Sequence, residues 1–281
     1  MESLLSHSFD HLSSNDPGKI RKGLKQLEGL LAQICLSRSG SDAISTADKR
    51  RSIATSRAQD LAPKELVHLK DDAAFREFFK LQEGFQWNVV LRLIGCLEKL
   101  LGRSSNGQND LLIVSTLDLL HGVLLIHPPS RSLFSREIYM NLLLDLLDPT
   151  LCPAIHSSTL LCLVSALISS PTNVRLFEAL DGLLCVTSLS KSRSATREVK
   201  MKSVEFLYFY LMPETPDQVK CMNGSARTAW GSSAGWATSS SREVEATKAI
   251  EEKQDLLGRY LSNVQDLVED LRESMPFGAA F

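Results

Sequence analysis

HPPSRSLFSREIYMNLLLDLLDP, residues 127–149, and SSPTNVRLFEALDGLLCVTSLS, residues 169–190, are one plan written twice. Pro128 stands 43 positions before Pro171, and Leu133-Phe134 stand 43 positions before Leu176-Phe177. Each proline closes one apolar helical pattern and opens a short helix followed by a longer one. A further helix, VEFLYFYLMPE, ends at Pro213, close to the same phase. Helical units recurring at about 40–47 residues mark armadillo or HEAT arrays, whose units bury their faces only by stacking on neighbours. The expected fold is an all-α, armadillo/HEAT-like helical solenoid.

Outward from this centre the helical pattern continues. Asn15-Asp16-Pro17 reads as a cap followed by proline, and Ile20, Leu24, Leu27, Leu31 and Ile34 then form one apolar stripe. FREFFKLQEGFQWNVVLRLIGCLEKLLG predicts two helices joined at Gly84. Residues 37–62 lack periodicity and read as a flexible loop, with basic residues placed ahead of Ser52 as in a kinase target. Residues 214–241 are rich in Pro, Gly, Ser, Thr and Ala and read as a disordered insert. The expected organisation is therefore 1–36 N-terminal helical segment, 37–62 loop, 63–213 helical repeats, 214–241 insert and 242–281 C-terminal capping helix. In that last helix Leu257, Tyr260, Leu261, Val264, Leu267, Val268 and Leu271 share one face.

Of 281 residues, 43% are hydrophobic and 23% charged, which suits a folded domain with a sizeable core. A net charge of -2 gives no electrostatic reason to expect nucleic acid. LLIVSTLDLLHGVLLI is interrupted by Asp118 and His121 and is too short to span a bilayer, so no membrane partner is expected. Six cysteines without CxxC pairing read as reduced thiols of an intracellular protein.

VKCMNGSART, residues 219–228, mimics a cysteine-phosphatase loop with Cys221, Gly224, Arg227 and Thr228. Such a thiolate needs a buried strand before it and a helix N-terminus after it. PETPDQ precedes it and WGSSAGWATSSS follows, so the spacing is a chance match. GRSSNGQN, residues 102–109, resembles a Walker loop but carries Gln108 where lysine belongs and follows a helix. No histidine or cysteine cluster has metal-ligand spacing. No enzyme activity, cofactor or metal is expected.

What remains is a surface. In armadillo-type units the longest helix of each repeat lines a partner-binding concave face. On EIYMNLLLDLLD the leucines 142, 143, 146 and 147 point inward, leaving Glu137, Asn141, Asp145 and Asp148 on the other side, with Arg131 and Arg136 just before. Asn88, Arg92 and Lys99 form the comparable stripe on the earlier helix. Asn88, Arg92, Arg131, Arg136, Glu137, Asn141 and Asp145 are the candidate partner-binding residues.

FREFFKLQEGFQWNV, SNGQNDLLI, HPPSRSLFSREIYMNLLLDLLDP, FEALDGLL, REVKMKSVEFLYFYLMPE and RYLSNVQDLVEDLRESMPFG resemble a fungal family of septation-initiation-network components, cell division control protein 14, unrelated to the phosphatase sharing that name. The resemblance implies a non-catalytic partner of a germinal-centre/Ste20-type protein kinase. It also implies action with other septation-network proteins in the cytoplasm and at the spindle pole body, promoting septum formation and cytokinesis. A kinase co-activator and a passive adaptor that only tethers the kinase are both compatible with it.

Overall fold

The structure is a computed structural model that describes residues 1–38, 61–64, 69–103, 107–214 and 247–274. The expected insert, its Cys221 motif and Ser52 lie outside the described residues, apart from Glu214. The described chain is helical except for one short strand pair, and it divides into two compact units, 1–99 and 100–281. That division falls within the expected 63–213 array.

In the first unit, helix α1 (Glu2–Ser13) lies against α2 (Pro17–Cys35). Asp16 starts α2 as expected, its carboxylate accepting from Gly18 N at 2.9 Å with Pro17 at the first position. Leu5, Phe9 and Leu12 are buried on α1, and Ile20, Leu24, Leu27, Leu31 and Ile34 on α2. The helices touch closely at Gly23, where a Cβ would lie 2.9 Å from Ser8 O. β1 (Leu36–Arg38) pairs antiparallel with β2 (Leu61–Pro63), so the expected loop 37–62 begins and ends in a short ladder that three residues are too few to announce. Beyond it, Lys64 Nζ reaches Asp72 Oδ2 at 2.6 Å and Ile34 O at 2.9 Å. Asp72 then caps α3 (Ala73–Glu83) through Ala74 N and Phe75 N. The Lys64 hydrogen bond and these amides hold its carboxyl below the usual range. Gly84 closes α3, and α4 (Val89–Leu101) follows, as the sequence predicts.

The second unit holds three long helices: α5 (Asp110–Ile126), α7 (Pro153–Leu167) and α10 (Arg197–Leu211). α5 lies on α7, and α7 on α10. A short 3-10 helix (Pro128–Ser135) and α6 (Glu137–Asp145) separate the first two. α8 (Pro171–Ala179) and α9 (Gly182–Lys191) separate the second two. Pro128 and Pro171 each occupy a helix start, where the missing N–H costs nothing. Their partners in the repeat, Phe134 and Phe177, are both fully buried. The 43-residue offset in the sequence is thus a recurring long–short–short helical unit.

The C-terminal segment departs from expectation. It is not one helix but two, α11 (Ile250–Gly258) and α12 (Val264–Ser274), separated by a turn. Gly258 and Ser262-Asn263 interrupt the pattern, because glycine and serine–asparagine pairs favour turns over continued helix. Leu257, Val264, Leu267 and Val268 are still buried, while Tyr260 and Leu261 are only half-buried.

Candidate functional site

The expected residues separate into a structural set and an exposed set. Asn88 is a correction: it is 8% exposed, and its amide is used within the fold. Its Nδ2 donates to Gln82 O at 2.7 Å, and its Oδ1 accepts from Leu91 N at 3.1 Å. A polar residue just before α4 reads on a wheel as solvated, yet the free N–H groups of a helix start demand such an acceptor. Arg92 is also engaged, its Nη2 donating to Gln86 O at 3.3 Å and its guanidinium lying 5.3 Å over the Phe9 ring. Lys99 Nζ donates to Ser13 O at 3.0 Å.

Arg131 is half-buried and already engaged within the fold. Its Nε donates to Leu124 O and its Nη1 to Ile168 O, both at 3.2 Å, so the side chain ties the last turns of α5 and α7 together. Burial holds its guanidinium below its ordinary pKa. Its own carbonyl accepts from Asn173 Nδ2 at 2.8 Å, and the same amide nitrogen reaches Ala166 O at 2.7 Å. Asn173 is wholly buried. Sequence reasoning passed over it, although an asparagine three positions into a helix that follows proline is a visible oddity.

The ridge on α6 stays in solvent. Glu137 and Asp145 are exposed and Asn141 is half-buried, while Leu142, Leu143, Leu146 and Leu147 are buried beneath them. Neither the Glu137 nor the Asp145 carboxylate has an ion-pair or hydrogen-bond partner among the described residues. Arg136 is exposed just ahead, its guanidinium 6.0 Å over the Tyr139 ring. Asp148 is spent locally, accepting from Thr150 N at 2.8 Å and Thr150 Oγ1 at 2.7 Å. Ile138 adds an apolar element to this surface at 65% exposure. Burial, followed by the carboxylates of Asp181 and Asp145, raises the Cys185 thiol on α9.

One further correction concerns the ridge's place in its unit. α6 has nine residues and is not the longest helix there; α5, α7 and α10 have 17, 15 and 15. Those long helices expose Leu125, Ile168 and Met212 at their C-terminal ends, 43 and 44 positions apart. Of the Walker-like stretch, residues 104–106 lie outside the described residues; the rest falls between the end of α4 and the start of α5, with Gly107 at φ 74°. Among the described residues no group of His, Cys, Asp and Glu could hold a metal ion, and no single helix is long and apolar enough to cross a membrane.

Residues 1–277 match the family described as cell division control protein 14, SIN component. The chain is 27% identical to cell division control protein 14 of Schizosaccharomyces pombe, across 99% of this chain and 97% of that relative. No solved structure matches.

Proposed function

The chain belongs to the cell division control protein 14 family of septation-initiation-network components in cell division, and from that premise we propose that it is a non-catalytic co-activator of a germinal-centre/Ste20-type protein kinase. It works in the cytoplasm and at the spindle pole body, where the kinase promotes septum formation and cytokinesis. Its second unit is read as an armadillo/HEAT-like solenoid, because the long–short–short helical unit recurs at the period such arrays use.

The observation that carries the reading is the α6 ridge. Glu137 and Asp145 stand unpaired in solvent over a layer of buried leucines, with Asn141 between them and Arg136 ahead. Unpaired charges on a rigid helix orient an incoming partner and speed its association more than they add raw affinity. Asn88, Arg92 and Arg131 support the fold and are left out of the docking surface.

The experiment is a kinase assay with and without the purified chain, alongside a binding measurement. A co-activator raises kinase turnover on saturation. An adaptor binds and leaves turnover unchanged, and that result would replace the reading with passive tethering at the pole.

A further inference from the structure

Exposed positions on the long helices of the second unit repeat with its period. On α5, Leu111, Asp118 and Leu125 are exposed at steps of seven. On α7 and its last turn, Ala154, Leu161 and Ile168 are exposed at the same steps, each 43 positions later. Steps of seven keep side chains on one side of a helix. The two stripes lie side by side, since Ser158 Oγ donates to Asp118 Oδ1 at 3.0 Å and Arg131 bridges Leu124 O and Ile168 O. The same 43-residue shift carries the Asp118–Ser158 pair onto Leu161 of α7 and Met201 of α10, and α7 lies on α10 as α5 lies on α7. Six of the ten exposed large hydrophobics among the described residues, Leu111, Leu125, Leu161, Ile168, Met201 and Met212, belong to this three-helix face. Its charges are few and mostly spent: Asp118 is bonded to Ser158, and Glu205 pairs with Lys202 at 2.8 Å.

We propose that this face pairs with the same face of a second copy of the chain, α7 lying against its own counterpart in a two-fold dimer. A partner of different surface is oriented by complementary charge, which the α6 ridge offers and this face does not. Pairing of a face with itself needs only self-complementarity, and homodimer interfaces are the more apolar class, poor in charge at their centre. The area suffices. The 15 residues of α7 span about 22 Å at 1.5 Å per residue, and three helices 8–10 Å apart make the face about 28 Å wide. That is about 600 Å² in projection on each copy, and the accessible surface of a ridged face is larger, close to the ~800 Å² per partner of a stable interface. Leu161, midway along the middle helix, then sits next to the two-fold axis. The pairing lies wholly within the second unit and does not depend on the kinase reading.

The test is the oligomeric state of the full-length chain by analytical ultracentrifugation, with thermal unfolding of each variant. Wild type is expected at twice the chain mass and to dissociate on dilution. Leu161→Asp and Leu161→Lys each set like charges against each other at the axis and should weaken pairing about 100-fold or more. An equimolar mixture of the two should regain it, because opposite charges then meet. Should the Leu161 variants unfold early, Met201→Glu carries the same test from a more exposed side chain. Wild type that stays monomeric up to about 100 µM overturns the proposal. So does a dimer that the folded variants leave equally tight, or a mixture of Asp and Lys variants that stays apart. A monomeric wild type whose kinase affinity falls in folded Leu161→Asp assigns the face to the kinase instead, and also overturns it.

Discussion

Lys253 Nζ lies 2.9 Å from Glu214 Oε1, and the two side chains are only 3% and 9% exposed. The same ammonium donates to Tyr210 O at 2.9 Å and Met212 O at 3.0 Å, so one lysine on α11 satisfies carbonyls at the end of α10. Glu214 is also met by Arg175, which reaches Glu178 at 3.2 Å. Glu178 in turn accepts from Lys248 and from the Tyr210 hydroxyl, both at 2.7 Å. The segment 247–258 is thus tied to α8 and α10 by ion pairs of Lys248 and Lys253 as well as by the buried Leu257.

Lys253→Met is therefore expected to destabilise the chain by about 3 kcal/mol, the lower end for breaking a buried pair, because Glu214 keeps Arg175. Urea unfolding measures the loss. Hydrogen exchange should show amides of α11 opening before those of α7. A variant as stable as wild type would mean that packing of Leu257 alone holds the segment.

His127 sits between α5 and the 3-10 helix, its Nδ1 2.8 Å from Ser130 Oγ, and burial pushes its pKa down to about 4 from 6.5. The folded chain keeps the ring neutral where the unfolded chain has already taken a proton. Between pH 6.5 and about 4 the unfolded state binds more protons, so stability falls as the pH falls through that window. His127→Asn should flatten this part of the stability curve. An imidazole titration followed by NMR with a midpoint above 6 would contradict the burial argument.

Helix positions were legible in the sequence because apolar spacing of three and four is set by local geometry, and the 43-residue offset carried the recurring unit. The α6 ridge was legible for the same reason, since Leu142, Leu143, Leu146 and Leu147 fixed which side faced inward. Asn88 and Arg131 were not, because their partners are main-chain carbonyls and amides at helix ends, which no side-chain pattern displays. The polar residues of a helical wheel look alike whether they meet water or a neighbouring helix terminus. The break between α11 and α12 was visible in Gly258 and Ser262-Asn263, but continuous apolar spacing across it outweighed the turn residues.

Gly182 opens α9 directly against the Phe177 ring, where a Cβ would come within 2.3 Å of Cε2. Phe177 is fully buried and stacks 5.5 Å from Phe206 on α10, so the ring cannot withdraw. Gly182→Ala should cost about 1–3 kcal/mol, the range for overpacking a filled core. Thermal unfolding reads the effect, and an unchanged midpoint would show that α9 can shift outward at its start.

The ridge prediction separates docking from folding. Glu137 and Asp145 are exposed and unpaired, so Glu137→Lys with Asp145→Lys should leave unfolding within about 0.5 kcal/mol of wild type. Reversing two charges that orient the encounter should slow association with the kinase by about tenfold or more at low salt, with a smaller effect at high salt as screening grows. Arg131→Ala is the matched control. It removes a part-buried bond to Leu124 O and an exposed one to Ile168 O, and should lower stability by about 1 kcal/mol. If the folded charge-reversal variant associates with the kinase at the wild-type rate and activates it fully, the partner engages a different surface. The exposed ends of the long helices at Leu125, Ile168 and Met212 are then the next place to substitute, because they recur with the unit and the ridge does not.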